Sequence, residues 1–106
     1  VLEVFLAAHD KTAWPIDDLH VIPGWLADTL VGKLPIPTVL HVDVDFYEAT
    51  RLALRSFVPR MASGSLIIVD DYGHWRGAQL ACDEFFSTRG RAFNIPGDPT
   101  RYWFKD

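Results

Sequence analysis

Three aspartates carry the chemistry that is easiest to read in this sequence. Leu66-Ile67-Ile68-Val69 is an unbroken, largely β-branched apolar run that ends on Asp70-Asp71 and then Tyr72-Gly73. Such a run reads as a strand buried on both faces, as in a parallel sheet under helices. In open α/β sheets the ligand crevice lies beyond the carboxyl ends of the strands, which is where these two acids fall. Taken alone, the pair is equally consistent with Asp70 opening a turn and Asp71 capping the next helix. Val39-Leu40-His41-Val42-Asp43-Val44-Asp45 is a second apolar run ending in carboxylates. The interval from Asp43 to Asp70 suits strand, crossover helix, strand, so the two strands are expected side by side and parallel. Asp43, Asp70 and Asp71 then meet at one rim. Carboxylates that close repel one another unless a proton or a cation compensates, and a hard divalent ion such as Mg²⁺ takes oxygen ligands of this kind.

The elements that must hold these acids follow from periodicity. Leu54, Phe57, Val58 and Met61 recur at helical spacing and predict a helix over Phe46–Met61, loosened or ended by Pro59 in its last turn. Ser63-Gly64-Ser65 turns the chain into the strand Leu66–Val69. Ala78, Ala81, Cys82 and Phe85 predict a second helix over Gly77–Arg89, closed by Gly90. Ala92–Ile95 and Arg101–Phe104 flank Pro96-Gly97-Asp98-Pro99 and read as a terminal antiparallel hairpin. Upstream, Leu19–Ile22 reads as a short strand stopped by Pro23-Gly24, and Trp25–Leu30 as a short amphipathic helix. Lys11–Asp18 reads as a loop. Val1–His9 is apolar at most positions and is consistent with helix or strand.

Composition narrows the class. A chain of 106 residues, 49% apolar with fourteen aromatic residues, supports one folded domain at most. Its net charge of −4, without a basic stripe, argues against nucleic acid as a partner. One cysteine, Cys82, excludes an internal disulfide framework and fits a reducing, cytoplasmic setting. No apolar run approaches the ~20 residues of a transmembrane helix, and no signal peptide is visible. The chain opens at Val1 in apolar sequence and reads as a portion of something longer.

With these residues in hand, the chain resembles the macrocin O-methyltransferase family, whose members use S-adenosylmethionine to methylate sugar hydroxyls of natural products. Gly24-Trp25-Leu26-Ala27-Asp28-Thr29-Leu30 is similar to the family's Gly-Trp-Phe-x-Asp-Thr-Leu segment. The likeness runs through Val42-Asp43-Val44-Asp45-Phe46-Tyr47-Glu48-Ala49-Thr50, is strongest at Val69-Asp70-Asp71-Tyr72-Gly73-His74-Trp75, and extends to Asp83-Glu84-Phe85. The resemblance implies an α/β, Rossmann-like methyltransferase fold, mostly parallel with an antiparallel last strand. It implies that residues 1–106 form the C-terminal portion of one class I methyltransferase domain. It also implies S-adenosylmethionine as donor and Mg²⁺ or a similar divalent cation held by Asp43, Asp70 and Asp71. Asp43 would serve in addition as general base toward a hydroxylated small-molecule acceptor.

Other residues join the expected site with a bland reading beside each. Tyr72, His74 and Trp75 are candidates to wall the acceptor pocket, or packing and surface residues. Asp45 either orients the metal-binding acids or caps the following helix. His41, inside a strand, is expected to be hydrogen-bonded in the core. Cys82 faces the core and is expected to be inert. The sequence also departs from the family: Phe46 and Ser65 replace smaller residues, and residues 1–38 hold neither a Gly-x-Gly donor loop after a strand nor the acid that binds the donor ribose. Donor-binding residues are therefore not assigned, and the strand Val39–Val44 is expected to leave an open edge that recruits another chain as a homo-oligomer. Two alternatives stand beside the methyltransferase. Asp43-x-Asp45 with Asp70-Asp71 resembles the acid pairs of haloacid-dehalogenase-like phosphohydrolases, though no Lys lies between Asp45 and Asp71. The third reading is a non-catalytic half that packs against a partner.

Overall fold

The structure, a computed structural model, describes residues 19–31, 34–87 and 91–106. Among them a short helix α1 (Leu26–Thr29) precedes β1 (Val39–Val42), α2 (Tyr47–Phe57), β2 (Leu66–Val69), α3 (Arg76–Phe86), β3 (Arg91–Asn94) and β4 (Arg101–Phe104). The four strands form one sheet in the order β1-β2-β4-β3. β1 and β2 are parallel, and β4 is antiparallel to both β2 and β3. Three strands therefore run one way and the last strand alone opposes them, as the family resemblance implies.

The core is built on one face of this sheet. Val42, Ile67, Val69 and Trp103 face Leu54, Val58 and Met61 from the α2 side and Cys82 from α3. Leu54, Ile67 and Cys82 are completely buried. Trp103 lies edge-on to Tyr72, with centroids 5.8 Å apart, and stacks on Phe86 at 4.3 Å. α2 and α3 pack side by side over the sheet. Their approach is so close that a Cβ at Gly77 would come within 2.8 Å of the Tyr47 backbone nitrogen.

Element ends follow local chemistry. α2 gives way at Phe57 to a 3₁₀ turn over Val58–Arg60 that contains Pro59, whose missing N–H and ring bar further α-helix. Lys105 Nζ donates to the carbonyl oxygens of Val58 and Met61 at 2.8 and 2.9 Å, satisfying acceptors that the helix end leaves over. Gly64, at φ +86°, makes the turn into β2, and its N–H donates to Lys105 O at 2.8 Å.

Several expectations are corrected. Leu19–Ile22 is no strand: it joins no ladder, and Val21 and Ile22 are exposed. Strand propensity measures fit to a pleated surface, and among the described residues no neighbouring strand supplies one. β1 stops at Val42 rather than Val44, because the chain leaves the ladder at the acids. The final hairpin's first strand is Arg91–Asn94, one residue earlier than expected. The second helix is Arg76–Phe86, and the expected closure at Gly90 lies outside the described residues, as do Val1–His9 and Lys11–Asp18. Among the described residues helices cover one face of β2: Ile67 and Val69 are buried, while Leu66 and Ile68 are half-buried. Among the described residues the second face is an apolar ladder of Ile68, Tyr102 and Phe93, the last two stacked at 5.1 Å. His41 belongs to this second face, on the edge strand, and is exposed rather than held in the core.

The Gly77 contact yields a prediction opposite in sign to helix propensity. At an exposed helical site Gly→Ala stabilises by up to about 1 kcal/mol. Gly77→Ala should instead destabilise by about 1–3 kcal/mol, because the new methyl must push α2 and α3 apart. Denaturant unfolding of the two proteins reads this directly; a more stable variant would contradict the packing.

Candidate metal centre

The register of β1 and β2 brings the acids together. Val42 opposes Val69 in the last rung, and the Asp70 N–H donates to Val42 O at 3.0 Å. The residues that follow on each strand are the acids. Asp43, Asp70 and Asp71 each offer one carboxylate oxygen, and these oxygens all lie within 4.8 Å of one another. Asp43 is exposed and the other two are half-buried.

The electrostatics of this rim are one-sided. The carboxyl of Asp71 is held above the ordinary carboxylate range, first by loss of solvent, then by a hydrogen bond with Asp45 and by the charges of Asp70, Asp45 and Asp43. Among the described residues no Lys or Arg pairs with these acids; His41 Nε2 stands 3.5 Å from Asp70 Oδ1 and is a counter-charge only when protonated. Asp45 lies beside Asp71 and shares a hydrogen bond with it; it is not the cap of α2, whose N-cap position is Phe46, with no side-chain cap. Asp71 likewise does not cap α3, whose N-cap position is Trp75. The turn itself is opened by Asp71 rather than Asp70: Asp71 O accepts the N–H groups of His74 and Trp75 at 3.1 and 3.0 Å.

This donor set fits a hard divalent cation. All three groups are oxygen donors of like charge, and adjacent ligands around Mg²⁺ sit about 3 Å apart. The present spacing is closed by rotation of side chains that are not packed in the core. Thr50, fully buried in α2, donates its hydroxyl to Val44 O at 3.2 Å and so ties the segment that bears Asp43 and Asp45 to the helix behind it.

The remaining candidates separate into two groups. His74 and Trp75 lie exposed on the turn beyond Asp71, edge to face at 5.1 Å. Tyr72 is buried; its hydroxyl donates to Asp83 Oδ1 at 2.5 Å and accepts from Arg101 Nη1 at 2.7 Å. Cys82 is buried with its thiol pushed up to about 12 by desolvation, which leaves no thiolate for chemistry. An open groove of about 790 Å³ runs beside Asp43, lined by Trp25, Leu26, Asp28, Phe46 and Leu52. Trp25 and Phe46 were not legible as groove walls; the one signal was a bulky Phe where the family has a small residue. Thr100, whose hydroxyl reaches Asp70 O, carried no signal at all.

Comparison with known proteins agrees with this arrangement. The macrocin-O-methyltransferase (TylF) family profile matches residues 10–97. The chain is 42% identical over 60 residues to the 8-demethyl-8-(2,3-dimethoxy-alpha-L-rhamnosyl)-tetracenomycin-C 4'-O-methyltransferase of Streptomyces olivaceus, covering 53% of this chain and 22% of that enzyme. It is 38% identical over 71 residues to the demethyldecarbamoylnovobiocin O-methyltransferase of Streptomyces niveus, covering 65% and 27%. The solved O-methyltransferase NovP superposes with a TM-score of 0.70 at 33% identity, covering 78% of this chain and 36% of that one. The matched stretches thus span about a quarter to a third of their relatives. Among the described residues no helix is long and apolar enough to cross a membrane.

The raised carboxyl of Asp71 fixes a pH dependence. Without a cation the folded state binds this proton more tightly than the unfolded chain does, whose carboxyl titrates near 3.8. The resulting stabilisation is present below that value and is lost as pH rises through the higher folded value. A divalent cation needs the deprotonated acid, so its stabilisation grows over the same window. Melting temperatures between about pH 4 and 7, with and without Mg²⁺, should diverge as pH rises. Asp71→Asn should abolish that divergence; a cation effect equal at both pH values would contradict the site.

Proposed function

Because this chain belongs to the macrocin-O-methyltransferase family, we propose that it carries the metal and acceptor side of an S-adenosylmethionine-dependent O-methyltransferase acting on a hydroxyl of a natural-product sugar or similar small molecule. The observation that supports this most is the convergence of Asp43, Asp70 and Asp71 at the carboxyl ends of two adjacent parallel strands. Family membership leaves the phosphohydrolase reading without support.

Asp43, Asp70 and Asp71 would hold Mg²⁺ or a similar ion. Such an ion, when bound, lowers the pKa of an alcohol and fixes two neighbouring hydroxyls of the acceptor. Asp43, the most exposed of the three, takes the proton of the reacting hydroxyl on its free oxygen. With that proton removed, the hydroxyl oxygen would be free to bond to the methyl carbon of a bound sulfonium donor as its C–S bond broke. The sulfonium is already activated, so holding acceptor and donor in line carries much of the rate. Asp45, beside Asp71 and sharing its proton, would hold that carboxyl in place until a cation displaces the proton. His74 and Trp75, exposed on the turn next to the acids, would meet the acceptor, whereas Tyr72 anchors the turn from beneath.

In the native protein, Asp43→Ala should lower kcat by at least about 100-fold while donor affinity stays close to the parent's. Excess chelator should stop turnover and Mg²⁺ restore it. Parallel loss of donor binding, or full activity in chelator, would overturn the assignment.

A further inference from the structure

We propose that Thr100 is a positioning residue for the metal-binding acids, acting through the one peptide that carries both Asp70 and Asp71. This rests on the reading of those acids as metal ligands. Thr100 Oγ1 donates to Asp70 O at 3.0 Å, across a separation of thirty residues. That oxygen belongs to the planar unit linking Asp70 to Asp71, so the Cα atoms of both residues lie in the plane it defines. Holding the oxygen sets the direction from which both carboxylates leave the backbone.

The need for such a hold is physical. β2 ends at Val69, so Asp70 and Asp71 lie beyond its ladder, in a turn. Four carboxylates, counting Asp45, press on this turn. Without restraint the turn relaxes by rotating the acids apart. The loop between β3 and β4 opposes this at successive points. Asp98 Oδ1 accepts the Thr100 N–H at 2.8 Å and fixes Thr100 itself. Pro99 O accepts the Gly73 N–H at 2.8 Å. A Cβ on Gly73 would sit 3.2 Å from Pro99 Cα, so the two backbones are in close contact. Arg101 places its guanidinium carbon 4.0 Å from the Tyr72 ring centroid and donates Nη1 to the Tyr72 hydroxyl at 2.7 Å. Residues 98–101 thus grip residues 70–73. Pro99 and Arg101 hold the turn to the fold, and only Thr100 holds the peptide between the acids. The hydroxyl, rather than the bulk of the side chain, performs the task.

The test compares Thr100→Val, which keeps the shape and loses the donor, with Thr100→Ser, which keeps the donor. Mn²⁺ binding to the native protein is followed by its electron paramagnetic resonance signal, well below the melting temperature of each variant. Thr100→Val should weaken Mn²⁺ binding by about 10-fold, the usual effect of removing a group that orients a ligand. Thr100→Ser should bind like the parent, and the donor KM should not move in either. If Thr100→Val does not fold, Thr100→Ala takes its place. Lower melting temperature with unchanged Mn²⁺ affinity would mean a merely structural role and would overturn the proposal. Failure of the parent to bind Mn²⁺ would instead overturn the metal reading, and this inference with it.

Discussion

Mutual repulsion among carboxylates is the constraint around which this fold is arranged. Asp43, Asp70 and Asp71 bring their oxygens within 4.8 Å, and Asp45 adds a fourth charge. The restoring forces are backbone ones: the parallel pairing of β1 and β2 up to Val42 and Val69, and the Asp70 N–H on Val42 O. Behind them stand side chains that hold main-chain oxygens, Thr50 on Val44 and Thr100 on Asp70. The cost of this convergence falls on Asp71, whose carboxyl is held above the ordinary carboxylate range.

The rest of the core serves that rim. Leu54, Val58 and Met61 bind α2 to the sheet and so fix where β1 hands over to the helix. The β3–β4 hairpin lies against β2 on its other side, and its antiparallel last strand brings the 98–101 loop back to the Asp70 turn. In a purely parallel sheet the neighbouring strand would not begin there. Strand direction is thus linked to function: reversing β4 delivers its start, rather than its end, to the acids. The groove beside Asp43, walled by Trp25 and Phe46, opens onto the same rim.

Much of this was legible because it rests on local rules. β2 was readable to the residue from its apolar run and the Gly64 turn, and Pro59 marked the end of α2. The pairing of β1 with β2 followed from the length of the crossover. What escaped were matters of context. Leu19–Ile22 has a strand's composition but, among the described residues, no neighbour to pair with. His41 has a strand's position, yet its side chain points to the face that the described helices leave uncovered. Asp45 precedes a helix as a cap would, but the N-cap position is Phe46, and Asp45 meets the carboxyl of Asp71 instead. Thr100 acts across thirty residues, and no short-range pattern encodes such a contact.

The account stands on a cation at the rim of β1 and β2. Crystals of the native protein grown with Mn²⁺, measured at a wavelength where manganese scatters anomalously, test it most directly. The account predicts one strong peak bounded by oxygens of Asp43, Asp70 and Asp71 at about 2.1–2.2 Å. Full-occupancy Mn²⁺ elsewhere with none at this rim, or the three carboxylates turned apart in the ion's presence, would contradict it.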